Sequence, residues 1–426
     1  MNIFDIFTIA AFLMRAHALP APSSVQSDLT LHTPSSITWA ACPSEVLGAS
    51  LLQCASYSVP VDWNEPHGEH FDLGLVKLPG TPSNSTFQKV GTLFVNPGGP
   101  GGPASQFVAA LALGSIKSEY LGSFDIVGLD PRGVGLSHQV QCDPAIYAER
   151  VSLFPQTGEE FAKLKDKNRR FGESCLNRTG GVFEHLDTIS VGKDHEAVRI
   201  ALGDEPINFL GLSYGSQLGA QYADLFPNNI RTLATVNDKD ILFNSHQYLT
   251  FKQNLGLGSS WDILASALNN SSKGDASALS TKLADPTAYS FLPIGCLDWT
   301  RKASSTLPEI LAQQIMAKEY APLTQGGSQM WQLQHACLGW PAKIQNPPKK
   351  LNVKTNATIL LTQSTSDPST GFSWALGILE EFQNKVLVMR KGDGHTSLPL
   401  GGKTAETILR YLITSKAPEP GLVLDS

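Results

Sequence analysis

The stretch Ile207-Asn-Phe-Leu-Gly-Leu-Ser-Tyr-Gly215 is an apolar run that ends in the pattern Gly-x-Ser-x-Gly, centred on Ser213. The run has the length and composition of a buried strand, and the residues from Gln217 to Phe226 have helical periodicity. A serine at a tight turn between a buried strand and a helix is held in a strained conformation that exposes its hydroxyl group. The stretch therefore predicts a nucleophilic serine, and an ordinary turn is the simpler alternative.

Short apolar runs followed by glycine-rich or polar loops recur on both sides of this stretch. They are Gly91 to Val95, Phe124 to Leu129, Thr358 to Leu361 and Val386 to Met389, with a weaker run from Arg231 to Val236. Runs of this kind that alternate with helical segments are typical of a mostly parallel sheet with crossover helices. An antiparallel hairpin from Val59 to Leu75 precedes them. We therefore predict an α/β fold of the α/β-hydrolase type.

The sequence divides into five predicted segments. They are a signal peptide (1–18), a flexible lead (19–38), the first part of the core (39–239), a helical cap (240–350) and the C-terminal part of the core (351–426). The cap is predicted between the sixth and seventh strands because its region lacks apolar strand runs. It contains the capping box Thr306-Leu-Pro-Glu309, which indicates the start of a helix.

Three features predict a secreted protein. The apolar run from Ile6 to Met14 is followed by the cleavage pattern Ala16-His-Ala18, although a buried N-terminal helix is the alternative because the run lacks a preceding Lys or Arg. Four sequons predict glycosylation, at Asn84, Asn177, Asn270 and Asn356. The six cysteines are expected to form disulfides between sequence neighbours, although other connectivities are possible: Cys42 with Cys54, Cys142 with Cys175 and Cys296 with Cys337.

Charge and spacing restrict the partners of the chain. A formal net charge of -6 without a run of Lys or Arg argues against nucleic acid. No apolar stretch after the signal peptide is long enough to span a bilayer, so no membrane contact is expected after its removal. No C-x-x-C or H-x-x-x-H spacing occurs, so neither a metal nor an organic cofactor is predicted. The oligomeric state stays open.

The predicted nucleophile requires a histidine base and an acid that orients it. Of the histidines after Ser213, only His395 follows the last predicted strand. Asp367 lies in the loop after the preceding strand, where this fold places the acid. Asp393 is the rival acid, although two residues from the histidine is poor geometry for a bond to the far ring nitrogen. The predicted catalytic residues are therefore Ser213, Asp367 and His395.

An oxyanion that develops on the substrate requires hydrogen-bond donors aimed at it. The predicted donors are the backbone N–H of Tyr214 and a second N–H from the loop Asn96-Pro-Gly-Gly-Pro-Gly-Gly102. A flexible turn is the alternative interpretation of this loop.

Several motifs together resemble the tripeptidyl aminopeptidase branch of the proline-iminopeptidase-like α/β-hydrolases, and the likeness runs from about Trp39 to Leu412. The motifs are Asn96-Pro-Gly-Gly-Pro-Gly-Gly102, Phe124-Asp-Ile-Val-Gly-Leu-Asp-Pro-Arg-Gly-Val-Gly-Leu-Ser137, Gly211-Leu-Ser-Tyr-Gly215, Asp367-Pro and Gly394-His395. The resemblance implies that Gly99 and Tyr214 donate the oxyanion bonds. It also implies a structural Asp-x-Arg-Gly turn and a helical cap over the site.

The resemblance implies an exopeptidase that releases short peptides or single residues from free N-termini through a Ser-His-Asp acyl-enzyme mechanism. Candidates to pair with the substrate ammonium are Asp238, Asp240 and Asp298. A carboxylic-ester or small-molecule hydrolase with the same triad is the second hypothesis, because the end of the sixth strand, Ala234 to Asp240, departs from the family pattern. A binding protein that has lost catalysis is the third.

Overall fold

A ten-stranded sheet forms the centre of the computed structural model. The model describes residues 36–81, 88–116, 119–203, 205–236, 253–254, 258–259, 265–266, 269–270, 273, 289–299, 305–320, 322, 329–367 and 371–425. The strands of the sheet are β1 (Ala40–Ala41), β2 (Gln53–Pro60), β3 (His70–Leu78), β4 (Gly91–Asn96), β5 (Phe124–Leu129), β6 (Ile207–Leu212), β7 (Ile230–Val236), β10 (Ile359–Ser366), β11 (Lys385–Asp393) and β12 (Val423–Asp425). Two further strands, β8 (Gln253–Asn254) and β9 (Gly258–Ser259), form a separate pair.

The strands lie in the order β1-β2-β3-β5-β4-β6-β7-β10-β11-β12. The pairs from β1 to β5 are antiparallel, and every later pair in this order is parallel. The predicted hairpin is β2 with β3, which pair from Gln53↔Lys77 to Pro60↔His70. The mostly parallel sheet predicted from the apolar runs is therefore confirmed.

Helices connect and cover these strands. They are α1 (Ala104–Ala112), α2 (Pro144–Ala148), α3 (Gly158–Thr179), α4 (Thr188–Ala201), α5 (Tyr214–Leu225), α6 (Phe291–Asp298), α7 (Leu307–Tyr320), α8 (Gln329–Ala336), α9 (Phe372–Leu379) and α10 (Gly402–Thr414). The predicted capping box is present at the start of α7, where the Thr306 N–H donates to Glu309 Oε2 over 2.7 Å. Helix α10 packs on the sheet because Ala405, Ile408 and Leu412 recur on one face and are buried.

The core lies at the central strands. All six residues of β6 are buried, which explains why its sequence is a continuous apolar run rather than an alternating pattern. The Asp-x-Arg-Gly turn after β5 is also buried: Asp130 Oδ1 accepts from the Ser105 N–H at 2.8 Å, and Asp130 Oδ2 accepts from the Leu136 N–H at 2.8 Å. This turn thereby ties the start of α1 to the end of β5, as the structural role expected of it requires.

The described residues between β7 and β10 include helices α6, α7 and α8 and the short pair β8 and β9. That this segment covers the site stays a prediction. The three disulfides join sequence neighbours: Cys42–Cys54, Cys142–Cys175 and Cys296–Cys337. The last of them links α6 to the residue that follows α8.

The sequence features of export lie on the surface or outside the described residues. Asn177, Asn270 and Asn356 are exposed. Asn84, the predicted signal peptide (1–18) and most of the predicted lead (19–38) lie outside the described residues. None of the described helices combines the length and the apolar character that a crossing of the membrane requires.

Candidate active site

Ser213 occupies the tight turn between β6 and α5. Its backbone dihedral angles are φ 55° and ψ −124°, a conformation that costs a non-glycine residue of order 1–3 kcal/mol. The turn requires glycine at position 211, because a Cβ atom there would stand 2.2 Å from the carbonyl oxygen of Gly215. The strand, turn and helix predicted around Ser213 are therefore all present, and the Gly-x-Ser-x-Gly glycines permit the close approach of β6 and α5.

The glycine-rich loop after β4 lies beside this turn. Strands β4 and β6 are parallel neighbours, with Asn96 opposite Gly211. The chain continues from β4 to β5 and from β6 to β7, which lie in opposite directions along the sheet. Such a switch point opens a crevice at the carboxyl ends of the two strands. The contact is close, because a Cβ atom added to Gly98 would lie 2.4 Å from the Leu212 carbonyl oxygen and 2.8 Å from the Tyr214 backbone nitrogen.

The two residues expected to donate to an oxyanion lie on the two connections that border this crevice. Gly98 donates its N–H to Asn96 Oδ1 over 2.9 Å and is therefore occupied, and Gly99 is the next residue of the loop. Tyr214 is the first residue of α5, where backbone N–H groups lack partners within the helix and the helix dipole favours a negative charge. The resemblance names these same two residues, Gly99 and Tyr214.

The predicted acid and base leave the ends of two adjacent parallel strands. Ser366 of β10 pairs with Asp393 of β11, so the residues that follow these two strands are brought together. Asp367 Oδ1 lies 3.4 Å from His395 Nδ1, and the two side chains are 0% and 7% exposed respectively. Because Nδ1 faces Asp367, the other ring nitrogen, Nε2, is the one left to face a nucleophile.

The loop that contains His395 is anchored by Arg390, a residue that sequence reasoning missed. Arg390 is 2% exposed and donates from Nη2 to the Gly394 carbonyl oxygen over 3.1 Å. Its Nε donates to Ser397 Oγ over 3.2 Å. A buried guanidinium that binds both sides of the histidine restricts where the imidazole ring can stand. An arginine directly after the apolar run Val386 to Met389 was the available signal.

The three acids predicted to bind a substrate ammonium have different positions. Asp238 and Asp240 lie outside the described residues. Asp298 is 1% exposed, and both of its carboxylate oxygens accept the Thr188 N–H, at 3.0 and 3.2 Å. The ammonium prediction stays open for Asp238 and Asp240, whereas Asp298 is engaged by protein donors.

The predicted site residues follow the carboxyl ends of parallel strands of one sheet. The glycine-rich loop follows β4, Ser213 follows β6, and the pair of Asp367 and His395 follows β10 and β11. The residue types are those that nucleophilic acyl transfer requires. The described residues contain no cluster of three His, Cys, Asp or Glu side chains that could hold a metal ion.

Comparison with known proteins supports the fold described above. Residues 91–290 match the family described as alpha/beta hydrolase fold, and residues 321–423, which contain Asp367 and His395, match the family described as TAP-like protein. The chain therefore has the α/β-hydrolase fold.

Curated relatives match only part of this chain. A tripeptidyl aminopeptidase of Streptomyces coelicolor is 34% identical over 46% of this chain and 37% of its own length. The serine protease Hip1 of Mycobacterium tuberculosis is 34% identical over 46% of this chain and 38% of its own length. Carboxylesterase B of Mycobacterium tuberculosis is 35% identical over 38% of this chain and 32% of its own length. The matched region thus spans less than half of the length of these relatives.

Proposed function

We propose that this chain is a serine hydrolase that removes short peptides or single residues from free N-termini. The observation that carries the proposal is the pair after the adjacent strands β10 and β11, where Asp367 Oδ1 lies 3.4 Å from His395 Nδ1. Ser213 stands on its strained turn after β6, at the carboxyl edge of the same sheet. The similarity to a tripeptidyl aminopeptidase and to the serine protease Hip1 supports a peptide substrate.

The mechanism follows from these positions. His395 takes the proton of the Ser213 hydroxyl as the oxygen attacks the scissile carbonyl, and Asp367 stabilises the resulting imidazolium. The N–H groups of Gly99 and Tyr214 stabilise the oxyanion. His395 then gives the proton to the leaving amine, which leaves an acyl group on Ser213. Water activated by the same histidine releases the acyl group and restores the enzyme.

Replacement of the nucleophile tests the proposal. Ser213→Ala should lower kcat by about ten-thousandfold or more on any substrate that the wild-type chain cleaves, because the hydroxyl that forms the acyl-enzyme is absent. Ser216→Ala is the matched control, because Ser216 is a buried serine of α5 that lies three residues after Ser213 and outside the proposed triad. This variant should keep near wild-type turnover. A fluorophosphonate should label the wild-type protein at Ser213. Wild-type turnover by Ser213→Ala would reject the assignment.

An ester hydrolase with the same triad is the second candidate, because one relative of 35% identity is a carboxylesterase. An aminopeptidase must bind the free α-ammonium, and a buried cation requires a charged partner. Acetylation of the peptide N-terminus should therefore abolish cleavage by a peptidase, whereas p-nitrophenyl esters need no such partner. Asp238→Asn or Asp240→Asn should raise KM for free-amine peptides more than for neutral esters. Equal kcat/KM for free and acetylated peptides would favour the esterase.

Export to an oxidising compartment is part of the proposal. The three disulfides and the exposed sequon residues Asn177, Asn270 and Asn356 support it. Secreted material should begin at residue 19 and lose mass when N-glycans are removed enzymatically. Secreted protein that keeps residues 1–18, or free thiols at Cys142 and Cys175, would contradict it.

A further inference from the structure

A chain of buried hydrogen bonds connects the helical insertion to the residue after the nucleophile. Thr188 Oγ1 is hydrogen-bonded to Asp298 Oδ2 and, over 2.5 Å, to the Tyr214 hydroxyl oxygen. The Thr188 N–H donates to the same carboxylate. Thr188, Asp298 and Tyr214 are 0%, 1% and 4% exposed. An acid of the insertion is thus linked through one hydroxyl to a residue of the proposed oxyanion hole.

Helix α6, which ends at Asp298, is also bound to the core at both of its ends. Ser290, just before α6, donates from Oγ to the Gly133 carbonyl oxygen over 2.7 Å. Trp299, just after α6, donates from Nε1 to Gln217 Oε1 of α5 over 2.6 Å. The Trp299 ring meets the Tyr214 ring edge to face, with centroids 6.0 Å apart. Asp298 therefore stands at a fixed junction between the insertion and the nucleophile turn.

Capping of α4 alone does not explain this arrangement. Asp187 already accepts the Ser190 N–H at 3.0 Å and the Ser190 hydroxyl at 2.8 Å, which satisfies the start of α4. The Thr188 N–H needs only a neutral acceptor, and burial of a carboxylate is costly. The hydrogen bond between Thr188 and the Tyr214 hydroxyl is not part of this cap. It restrains the side chain of Tyr214.

We propose that Asp298 is a positioning residue for the oxyanion hole, acting through the Thr188 hydroxyl to fix Tyr214, and this role rests on the proposed function of Tyr214 as an oxyanion donor. With an ionised carboxylate, the Tyr214 O–H donates to Thr188 and the Thr188 O–H donates to Asp298. The tyrosine is then held at both its ring and its hydroxyl while its backbone N–H faces the crevice. A donor fixed before the reaction stabilises the oxyanion without reorganisation.

Which atoms donate and which accept in these hydrogen bonds depends on whether Asp298 carries a proton. Burial, together with the nearby carboxylate of Asp187, raises the pKa of the Asp298 carboxyl to about 7. Among the described residues, the titratable groups that face Asp298 are thus Asp187, before α4, and Tyr214, at the start of α5. A proton on Oδ2 would donate to Thr188 Oγ1 and turn the Thr188 hydroxyl towards Tyr214, which reverses the bond between them and leaves the Tyr214 O–H without this acceptor. In this proposal the ionised form, in which every donor of the chain has its acceptor, is therefore the active one.

Substitution of the middle residue tests the proposal. Thr188→Val removes the hydroxyl and should lower kcat about tenfold with KM within about twofold, whereas Thr188→Ser should retain wild-type kcat. Thr232→Val is the control, because Thr232 is a buried threonine in β7 whose hydroxyl donates to Asn208, outside the proposed site. Tyr214→Phe keeps the ring and the backbone N–H and should show the same tenfold loss, which provides a second variant if Thr188→Val does not fold. Wild-type kcat in both Thr188→Val and Tyr214→Phe overturns the proposal.

The pH profile separates a positioning role from a structural one. In the wild-type chain kcat should fall by up to about tenfold as pH drops through about 7, because Asp298 then gains a proton. In Asp298→Asn and in Thr188→Val this additional fall should be absent. The rate of fluorophosphonate labelling separates the proposed serine-hydrolase function from the positioning role of Asp298. Absence of labelling at Ser213 in the wild-type chain rejects the proposed function itself. Labelling of wild-type, Thr188→Val and Tyr214→Phe proteins at one rate and with one pH profile rejects only the role of Asp298.

Discussion

Two buried aspartates at α4 have different partners: Asp194 lies within the helix, and Asp298 binds Thr188, its first residue. Asp194 is paired with Arg132 through Nε to Oδ2 at 2.8 Å and Nη2 to Oδ1 at 2.7 Å, and both side chains are 0% exposed. Asp298 is also buried, but the described groups that bind it are the neutral donors of Thr188 and the side chain of Asn346. One carboxylate is balanced by a permanent charge and the other by dipoles.

This difference separates a structural acid from one that can change state. Arg132 also donates to the carbonyl oxygens of Pro60 and Val61, so its ion pair with Asp194 joins the opening hairpin to α4. A guanidinium keeps its charge over the whole working range of a protein, so Asp194 has a permanent counter-ion. Asp298 lacks such a partner among the described residues, and its charge therefore depends on pH. Asp194, whose charge is paired with that of Arg132, is therefore the structural acid of the two.

Removal of the cation should have the largest effect on stability. Arg132→Met leaves the Asp194 carboxylate buried without a counter-ion and should lower the free energy of unfolding by about 3–5 kcal/mol, measured by urea denaturation. The control is Arg178→Met, because Arg178 and Asp143 form an ion pair whose side chains are 50% and 29% exposed. That change should cost less than about 1 kcal/mol. Equal losses in the two variants would contradict the comparison.

Asp298→Asn should change the pH dependence of stability. The folded pKa of Asp298, about 7, lies above the unfolded value of 3.8, so the folded state binds more protons between these values and stability falls as pH rises through them. At 1.36 kcal/mol per pKa unit, the wild-type chain should lose about 3 kcal/mol more than Asp298→Asn between pH 5 and pH 8.

Urea denaturation of both proteins at these two pH values measures the difference, and their other titrating groups cancel because they are shared. Parallel curves of unfolding free energy against pH would show that Asp298 is not buried with a raised pKa. A larger loss in Asp298→Asn than in the wild type would have the wrong sign for this mechanism.

The sheet was predictable because its strands carry local signals. Continuous apolar runs of four to six residues indicated β4, β5, β6, β10 and β11, and the glycine-rich loops indicated where each ended. The order of these runs along the chain also indicated Asp367 and His395 as the acid and the base, because residues that follow neighbouring parallel strands meet at one edge of the sheet. Strand β12 was missed, because a three-residue edge strand has no periodic pattern and depends on its pairing with β11.

The support of the site was not predictable, because it depends on contacts between distant residues. Thr188 and Asp298 are 110 positions apart in the sequence. Asp298 was a candidate for the substrate ammonium because the resemblance implies acids in a cap, and its burial at the end of the apolar run Phe291 to Leu297 was not expected. The predicted strand run ended at Met389, whereas β11 continues through Arg390 to Asp393. In both cases a charged residue beside an apolar run was buried with partners supplied by the tertiary fold.

The smallest expected effect concerns a neutral donor to the paired acid. Trp63 donates from Nε1 to Asp194 Oδ1 over 3.0 Å, in addition to the two bonds from Arg132. Trp63→Phe removes this donor and should lower the free energy of unfolding by about 1–2 kcal/mol, since the carboxylate keeps its counter-ion. The loss should be equal at pH 5 and pH 8, because the guanidinium continues to balance the charge at both.

Asn346→Leu is the matching change at the other acid, since it removes a neutral donor from Asp298. Urea denaturation measures the free energy of unfolding of both variants at the two pH values. Asn346→Leu should be more destabilising at pH 8 than at pH 5, since the side chain of Asn346 favours the ionised form of Asp298. A pH-dependent loss in Trp63→Phe, or a pH-independent one in Asn346→Leu, would mean that the two acids do not differ in the way their partners indicate.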